Sequence, residues 1–292
     1  MTRGRITKLI GGQYTVKDER GKAVVLKPLG KFRHLDLSPK VGDIVTFDAE
    51  RIVSMEPRKN ELLRPPIANV DQAILIHSAK EPDFSFTLLD RFLVMVEHSG
   101  IDPLIVVTKT DLLDTEEMDQ LRADLAHYEK HYTVYYTTVH DNATLEVLKP
   151  TIKDCVSVFA GQTGSGKSSL LNALDIQLKL QTDAISKALG RGKHTTRHTE
   201  LLEVHGGLVA DTPGFSKLAF FDLDEADLPQ YYPDFLAVAD NCKFRGCRHI
   251  NEPGCAVKEA VDNGRIPTQR YARYRFIYEE VNTTEKTYRK KG

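Results

Sequence analysis

The stretch VFAGQTGSGKSSLLNAL, Val158 to Leu174, places a short apolar run before eight residues that match G-x-x-x-x-G-K-[ST] and a helical run after them. The chemistry follows from the residue types. Glycines let backbone N–H groups turn inward around a β-phosphate, Lys167 neutralises the β and γ oxygens, and the Ser168 hydroxyl ligates Mg²⁺. Gly161, Gln162, Thr163, Gly164, Ser165, Gly166, Lys167, Ser168 and the adjoining Ser169 therefore form the first candidate set, for a nucleotide. Chance can supply the eight letters; it seldom supplies them between a strand and a helix start.

Working outward, apolar strands alternate with amphipathic helices from Val70 onward. QAILIHSA, LIVVTK, TVYYTT, VSVFAG and GLVADT read as strands, with FTLLDRFLVMVEHSG and SSLLNAL as the clearest helices. That alternation predicts a mainly parallel, doubly wound α/β sheet with its ligands at the carboxyl ends of the strands. Asp211-Thr212-Pro213-Gly214 follows the last strand and matches an Asp-x-x-Gly turn, in which the aspartate holds the magnesium shell and the glycine N–H senses a γ-phosphate. Before it lies GRGKHTTRHTE, where a switch segment belongs, with Thr195 or Thr196 able to close on Mg²⁺.

LIVVTKTDLL, Leu104 to Leu113, raises a question of order. Its turn Thr108-Lys109-Thr110-Asp111 resembles the Asn-Lys-x-Asp turn with which GTPases read guanine, yet it precedes the phosphate loop instead of following it. Moved from the front to the end, it restores the usual sequence of elements. Because domain termini lie close together at the surface, joining them and cutting elsewhere preserves the packed sheet. Both matches are then real, and the domain is circularly permuted.

The flanks read differently. Residues 1–64 carry short strands (RITKLI, QYTVKD, AVVLKP, DIVTFD, RIVSME) separated by turn signals, which predicts a small closed barrel, OB-fold or SH3-like. LLRPPIAN reads as a linker to the GTPase domain, residues 65–225. The last segment, 226–292, holds Cys242, Cys247, His249 and Cys255 in the spacing C-x4-C-x-H-x5-C. Three thiolates and an imidazole make a closed tetrahedral set, the pattern of one structural zinc; a reduced cluster without metal is the alternative. Cys155, outside it, reads as a core thiol. Tyr271, Tyr274 and Tyr278 share one helix face, expected to pack on the metal hairpin.

The net charge of −1 hides an asymmetry. Basic against acidic residues number 14 to 8 in residues 1–64, 14 to 24 in 65–225 and 12 to 9 in the tail. Basic ends around an acidic centre suggest a polyanionic partner held by Lys8, Lys17, Arg20, Lys22, Lys31 and Arg33; a solvated surface is the other reading. No apolar run reaches the roughly 18 residues of a membrane span. A cytoplasmic monomer is the default expectation.

The permutation, the barrel in front and the cysteine–histidine cluster behind resemble the RsgA family of small ribosomal subunit-dependent GTPases. The resemblance spans almost the full length through LLDRFLV, TKTDLL, GSGKSSLLNAL, GRGKHTTRHTEL, DTPGF, CKFRGCRHINEPGCAVKEAV and GRIPTQRYARY. It implies an OB barrel, a permuted GTPase domain and a helical zinc domain. It further implies binding of GTP and GDP, rRNA binding and late maturation of the small subunit. It also points to His194 as the group that activates water, since Phe215 stands where many GTPases place a glutamine. Two positions depart from the family pattern: Thr108 replaces an asparagine, which predicts weaker guanine binding, and Ser165 replaces an apolar residue. Two rivals remain: a P-loop ATPase or kinase, which Asp111 argues against, and a zinc and barrel RNA-binding protein with a vestigial nucleotide site.

Overall fold

The computed structural model describes residues 1–30, 32, 38–63, 65–174, 199–211 and 223–289. Strands β1 (Thr2–Ile10), β2 (Gln13–Asp18), β3 (Ala23–Pro28), β4 (Ile44–Phe47) and β5 (Arg51–Met55) close into a barrel in the order β1-β2-β3-β5-β4-β1. The β3–β5 pair is parallel and the others antiparallel, an OB-type closure. Period-two alternation fills it with Ile6, Val16, Leu26, Val45, Phe47 and Ile52.

The expected linker is instead a hairpin of β6 (Glu61–Leu63) and β7 (Pro66–Ala68). Ile67 bridges to Val41 of the barrel, and Ile67, Ala68 and Val70 are fully buried. Pro66 is tolerated because it opens a strand in a two-stranded sheet, where edges carry free positions. The apolar residues behind it then supply the reason to dock.

The central sheet runs β10 (Thr133–Tyr136), β9 (Asp102–Thr108), β8 (Gln72–Ser78), β11 (Val156–Ala160), β13 (Gly207–Asp211), all parallel, then β12 (Thr199–Val204) antiparallel. Counted around the circle from β11, the spatial order is 2-3-1-4-5-6. The direction of winding reverses between β11 and β8, which makes that crevice the place for a ligand. Strand β12 was not foreseen; its sequence TELLEV puts Leu201 and Val204 inward among charges.

Barrel and central sheet are hydrogen-bonded into one sheet of eleven strands. A bulge between Ile6 and Lys8 bends β1, so that its first half pairs with β4 while Lys8 and Leu9 pair with Glu200 and Thr199 of β12. Lys8 Nζ lies 2.8 Å from Glu200, and Lys17 pairs with Glu203. These two lysines, read as contacts for a polyanion, instead clamp the barrel to the central sheet. Lys31 and Arg33 lie outside the described residues.

Helices α1 (Phe86–His98), α2 (Thr115–Leu125), α3 (Asn142–Glu146), α4 (Lys149–Ile152) and α5 (Lys167–Leu174) cover the central sheet, while α6 (Pro233–Ala239), α7 (Ala256–Asp262) and α8 (Thr268–Arg289) form the C-terminal module. The side chain of Ser85 caps α1, and Asp114 and Glu117 close a capping box on α2. Helix α1 is buried or half-buried on nearly every side because it serves two cores. Leu89, Phe92, Leu93 and Val96 join the main one, and Val94 joins Tyr232, Phe235, Val257, Tyr274, Ile277 and Val281 of the C-terminal module.

A buried charge cluster pins these layers together. Arg270 of α8 pairs with Asp90 of α1 and, at 3.2 and 3.3 Å, with Asp234 of α6. Arg273 Nε donates to Asp90 at 2.6 Å, Tyr128 donates to Asp90, and His127 meets Asp234 at 3.0 Å. The motifs LLDRFLV and TQRYARY thus supply the two halves of one contact.

Candidate functional site

The loop after β11 turns back over the end of β8. Gly161 is required there: at φ 154° a Cβ would lie 2.2 Å from the Ile76 carbonyl. Gly166 adopts φ 88°, and its open side faces Thr108. The chain then enters α5, whose first turn carries Lys167 half-buried and Ser168 and Ser169 exposed, at the end of the helix suited to an anion. Lys167 Nζ donates to the carbonyls of Gly161 and Gln162, both at 2.6 Å. Burial lowers its pKa from the usual lysine value.

The base turn stands at the end of β9. Lys109 takes a left-handed conformation, φ 58°, and its amine donates to the Glu81 carbonyl. Asp111 is exposed, in a 3-10 turn of Thr110–Leu112. Thr108 is buried, and its hydroxyl lies 2.7 Å from the Ser165 carbonyl and 3.3 Å from that of His77. Its one proton can serve one carbonyl at a time, and the shorter contact is to the phosphate loop. Thr108 is therefore a strut between the two nucleotide loops, made through the backbone of Ser165. The turn after β10, not singled out in the sequence, supports the other side: Thr110 N and Oγ1 both donate to the Thr137 carbonyl, at 3.4 and 3.3 Å.

Asp211 ends β13, which pairs with β11 on one side and on the other sets Asp211 in register with Glu200 of β12. Its side chain, and His194, Thr195, Thr196, Gly214 and Phe215, lie outside the described residues.

His77, at the end of β8 under the phosphate loop, carries no motif. It is fully buried against Phe84 and Phe92, with neither ring nitrogen hydrogen-bonded among the described residues. Burial, helped by nearby Lys167, lowers its pKa to about 4. The imidazole is neutral in the fold, whereas the unfolded chain takes up a proton near 6.5, so stability is complete above pH 6.5 and falls as pH drops toward 4. The loss amounts to roughly 3 kcal/mol. Urea denaturation at pH 7 and 4.5 should show that His77→Phe removes this part of the acid sensitivity; an identical fall in both proteins would contradict it.

In the C-terminal module Cys242, Cys247, His249 and Cys255 bring their ligand atoms within 4.8 Å of one another. His249 Nδ1 lies 3.3 Å from Cys255 Sγ and 3.7 Å from Cys242 Sγ. Two N–H groups at the start of α7 point at sulfur, Ala256 to Cys242 at 3.3 Å and Lys258 to Cys255 at 3.5 Å. Burial lowers the pKa of His249, which keeps it neutral, and burial with the neighbouring thiols pushes Cys247 up to about 12. A divalent cation offsets that crowding, so the donor set fits zinc. Tyr271 donates to the His249 carbonyl at 2.7 Å, Tyr274 to that of Arg248, and Tyr278 accepts from Arg248 at 3.3 Å, so the tyrosine face packs on this hairpin. Cys155 is only half-buried, in the turn before β11, and is not a core thiol.

A phosphate loop and a base turn joined across a 2-3-1-4-5-6 sheet define a GTPase, one whose chain begins at the fourth strand. The model of the RsgA GTPase matches residues 55–221 and that of the RsgA N-terminal domain residues 3–52. Two relatives, each named small ribosomal subunit biogenesis GTPase RsgA, from Shouchella clausii and Bacillus cytotoxicus, are both 48% identical over 99% of this chain and 100% of theirs. Among solved structures, YloQ, described as a circularly permuted GTPase, is 42% identical with a TM-score of 0.83, over 97% of this chain and 96% of its own. YjeQ from Thermotoga maritima is 35% identical with a TM-score of 0.84, over 96% and 98%. The chain belongs to the RsgA GTPase family, and it is a GTP hydrolase.

Proposed function

We propose that this protein hydrolyses GTP in a cycle stimulated by the small ribosomal subunit, that it assists late maturation of that subunit, and that it binds its rRNA as a cytoplasmic monomer. The observation that carries the reading is the 2.7 Å contact from Thr108 to Ser165, which holds base turn and phosphate loop as one site, in a chain of this family. Asp111 accepts from the guanine edge, which selects GTP over ATP. The N–H groups from Gly161 to Ser169 cradle the phosphates, and Lys167 leaves its loop carbonyls for the β and γ oxygens. Ser168, Thr195 or Thr196 and Asp211 would hold the Mg²⁺ that accompanies GTP, which would supply neutralisation of phosphate charge, and Gly214 would sense the γ-phosphate. Cys242, Cys247, His249 and Cys255 hold one structural zinc. Chelation, or Cys247→Ser, should release one zinc per chain and loosen the C-terminal module while nucleotide binding persists. Absence of stoichiometric zinc in elemental analysis would contradict that assignment.

Without a glutamine after Gly214, unaided turnover is slow, and His194 orients or deprotonates the attacking water when the subunit is bound. In the presence of saturating small subunits, His194→Ala should bind GTP as before, lose stimulated hydrolysis and stay on the subunit longer. Wild-type stimulated turnover in that variant would exclude His194.

A further inference from the structure

Between the two cluster ligands Cys242 and Cys247 the chain makes a tight turn, Lys243-Phe244-Arg245-Gly246, and its apex projects an aromatic ring. Phe244 is 44% exposed, and Lys243 Nζ lies over its ring, 5.6 Å from the centroid. The other phenylalanine this exposed among the described residues, Phe276, sits within α8. Phe244 stands on a turn fixed at both ends. Its flanking cysteines converge on the metal site, Cys242 N donates to the Ala239 carbonyl at 3.0 Å, and Lys243 N donates to that of Gly254 at 3.0 Å. Such a ring loses little freedom on contact with a partner.

The charges around it choose the partner. Among the described residues Arg248, Arg270 and Arg273 form ion pairs, whereas Lys243 and Arg245, the two neighbours of Phe244 in the chain, form none. The nearby Glu252 carboxylate is turned inward onto the backbone N–H groups of Arg248, Ile250 and Asn251. An exposed ring flanked in the chain by two cations without carboxylate partners suits a base stacked on the ring with its phosphates on the cations. Resting on the function proposed above, we infer that this metal-held turn is a stacking contact for an unpaired nucleotide of RNA, with Phe244 taking the base and Lys243 and Arg245 the backbone.

The test uses the full-length, zinc-loaded protein and a fluorescent single-stranded RNA of about 12 nucleotides, with the same sequence as a blunt duplex for comparison. Phe244→Leu keeps apolar bulk without a π face. It should bind the single strand about tenfold more weakly, whereas Phe244→Trp should match or exceed the wild type. Neither variant should differ on the duplex, and neither should alter GTP turnover without subunits. The double change Lys243→Ala with Arg245→Ala, which leaves ring and cluster in place, should flatten the salt dependence of binding. Unchanged affinity in Phe244→Leu, or an unchanged salt slope in the double variant, overturns the inference. So does weaker binding to small subunits with normal binding to the single strand, which would assign the ring to a ribosomal protein. If wild-type turnover ignores small subunits, the proposed function fails; if it responds and Phe244→Leu binds RNA normally, only the stacking contact fails.

Discussion

Arg270→Met should lower the stability of the protein by about 3–5 kcal/mol, the cost of leaving buried charge without its partner. The Arg270 side chain is 3% exposed, and those of Asp90 and Asp234 are 0% and 2% exposed. Burial alone would raise the Asp234 carboxyl; Arg270 and then His127 outweigh it and hold it well below the usual carboxylate range. Without the guanidinium, two carboxylates share a site that water does not reach, with Arg273 still paired to Asp90 and His127 still hydrogen-bonded to Asp234. Denaturation in urea should show the loss at pH 7. It should shrink as the pH falls, because protonation of Asp234, no longer held down by Arg270, removes stranded charge. Adding Asp90→Asn and Asp234→Asn to the variant should recover much of the stability. A single variant as stable as the wild type would mean that the cluster does not join α1 to the C-terminal module.

Lys167→Met should cost at least about 10²-fold in GTP turnover, the scale for losing one preorganised charge contact to the reacting group. The substitution keeps the half-buried stem and removes an amine whose described bonds are to its own loop, at Gly161 and Gln162. The melting midpoint should therefore stay within a degree or two, about the effect of a few tenths of a kcal/mol in a chain this size. Turnover by phosphate release and affinity by titration of a fluorescent GTP analogue separate chemistry from binding. Near-normal turnover would displace Lys167 from the phosphates.

The phosphate loop was legible because its backbone admits only glycine where Gly161 passes the Ile76 carbonyl, so the letters record the geometry. The barrel was legible through alternation, and the permutation because motif order survives in one dimension. What escaped depends on partners far along the chain. Asp90 and Arg270 are 180 residues apart, and neither looks unusual alone. Lys8 and Lys17 read as a basic surface until β12 brings Glu200 and Glu203 opposite them. Strand β12 itself, TELLEV, sets two glutamates among its apolar residues and so does not stand out as an apolar run. Thr108 was read as a weaker asparagine facing the base, whereas its hydroxyl is engaged by the Ser165 carbonyl. The effect of that position should then be sought in how loop and turn are held together.

GTP turnover by one preparation, measured with and without purified small ribosomal subunits and with ATP in parallel, decides most directly whether this chain is a subunit-dependent GTPase. Slow GTP turnover alone, at least about a tenfold rise with subunits and no use of ATP are the predicted results. Equal rates with and without subunits, or hydrolysis of ATP at the rate of GTP, would contradict it.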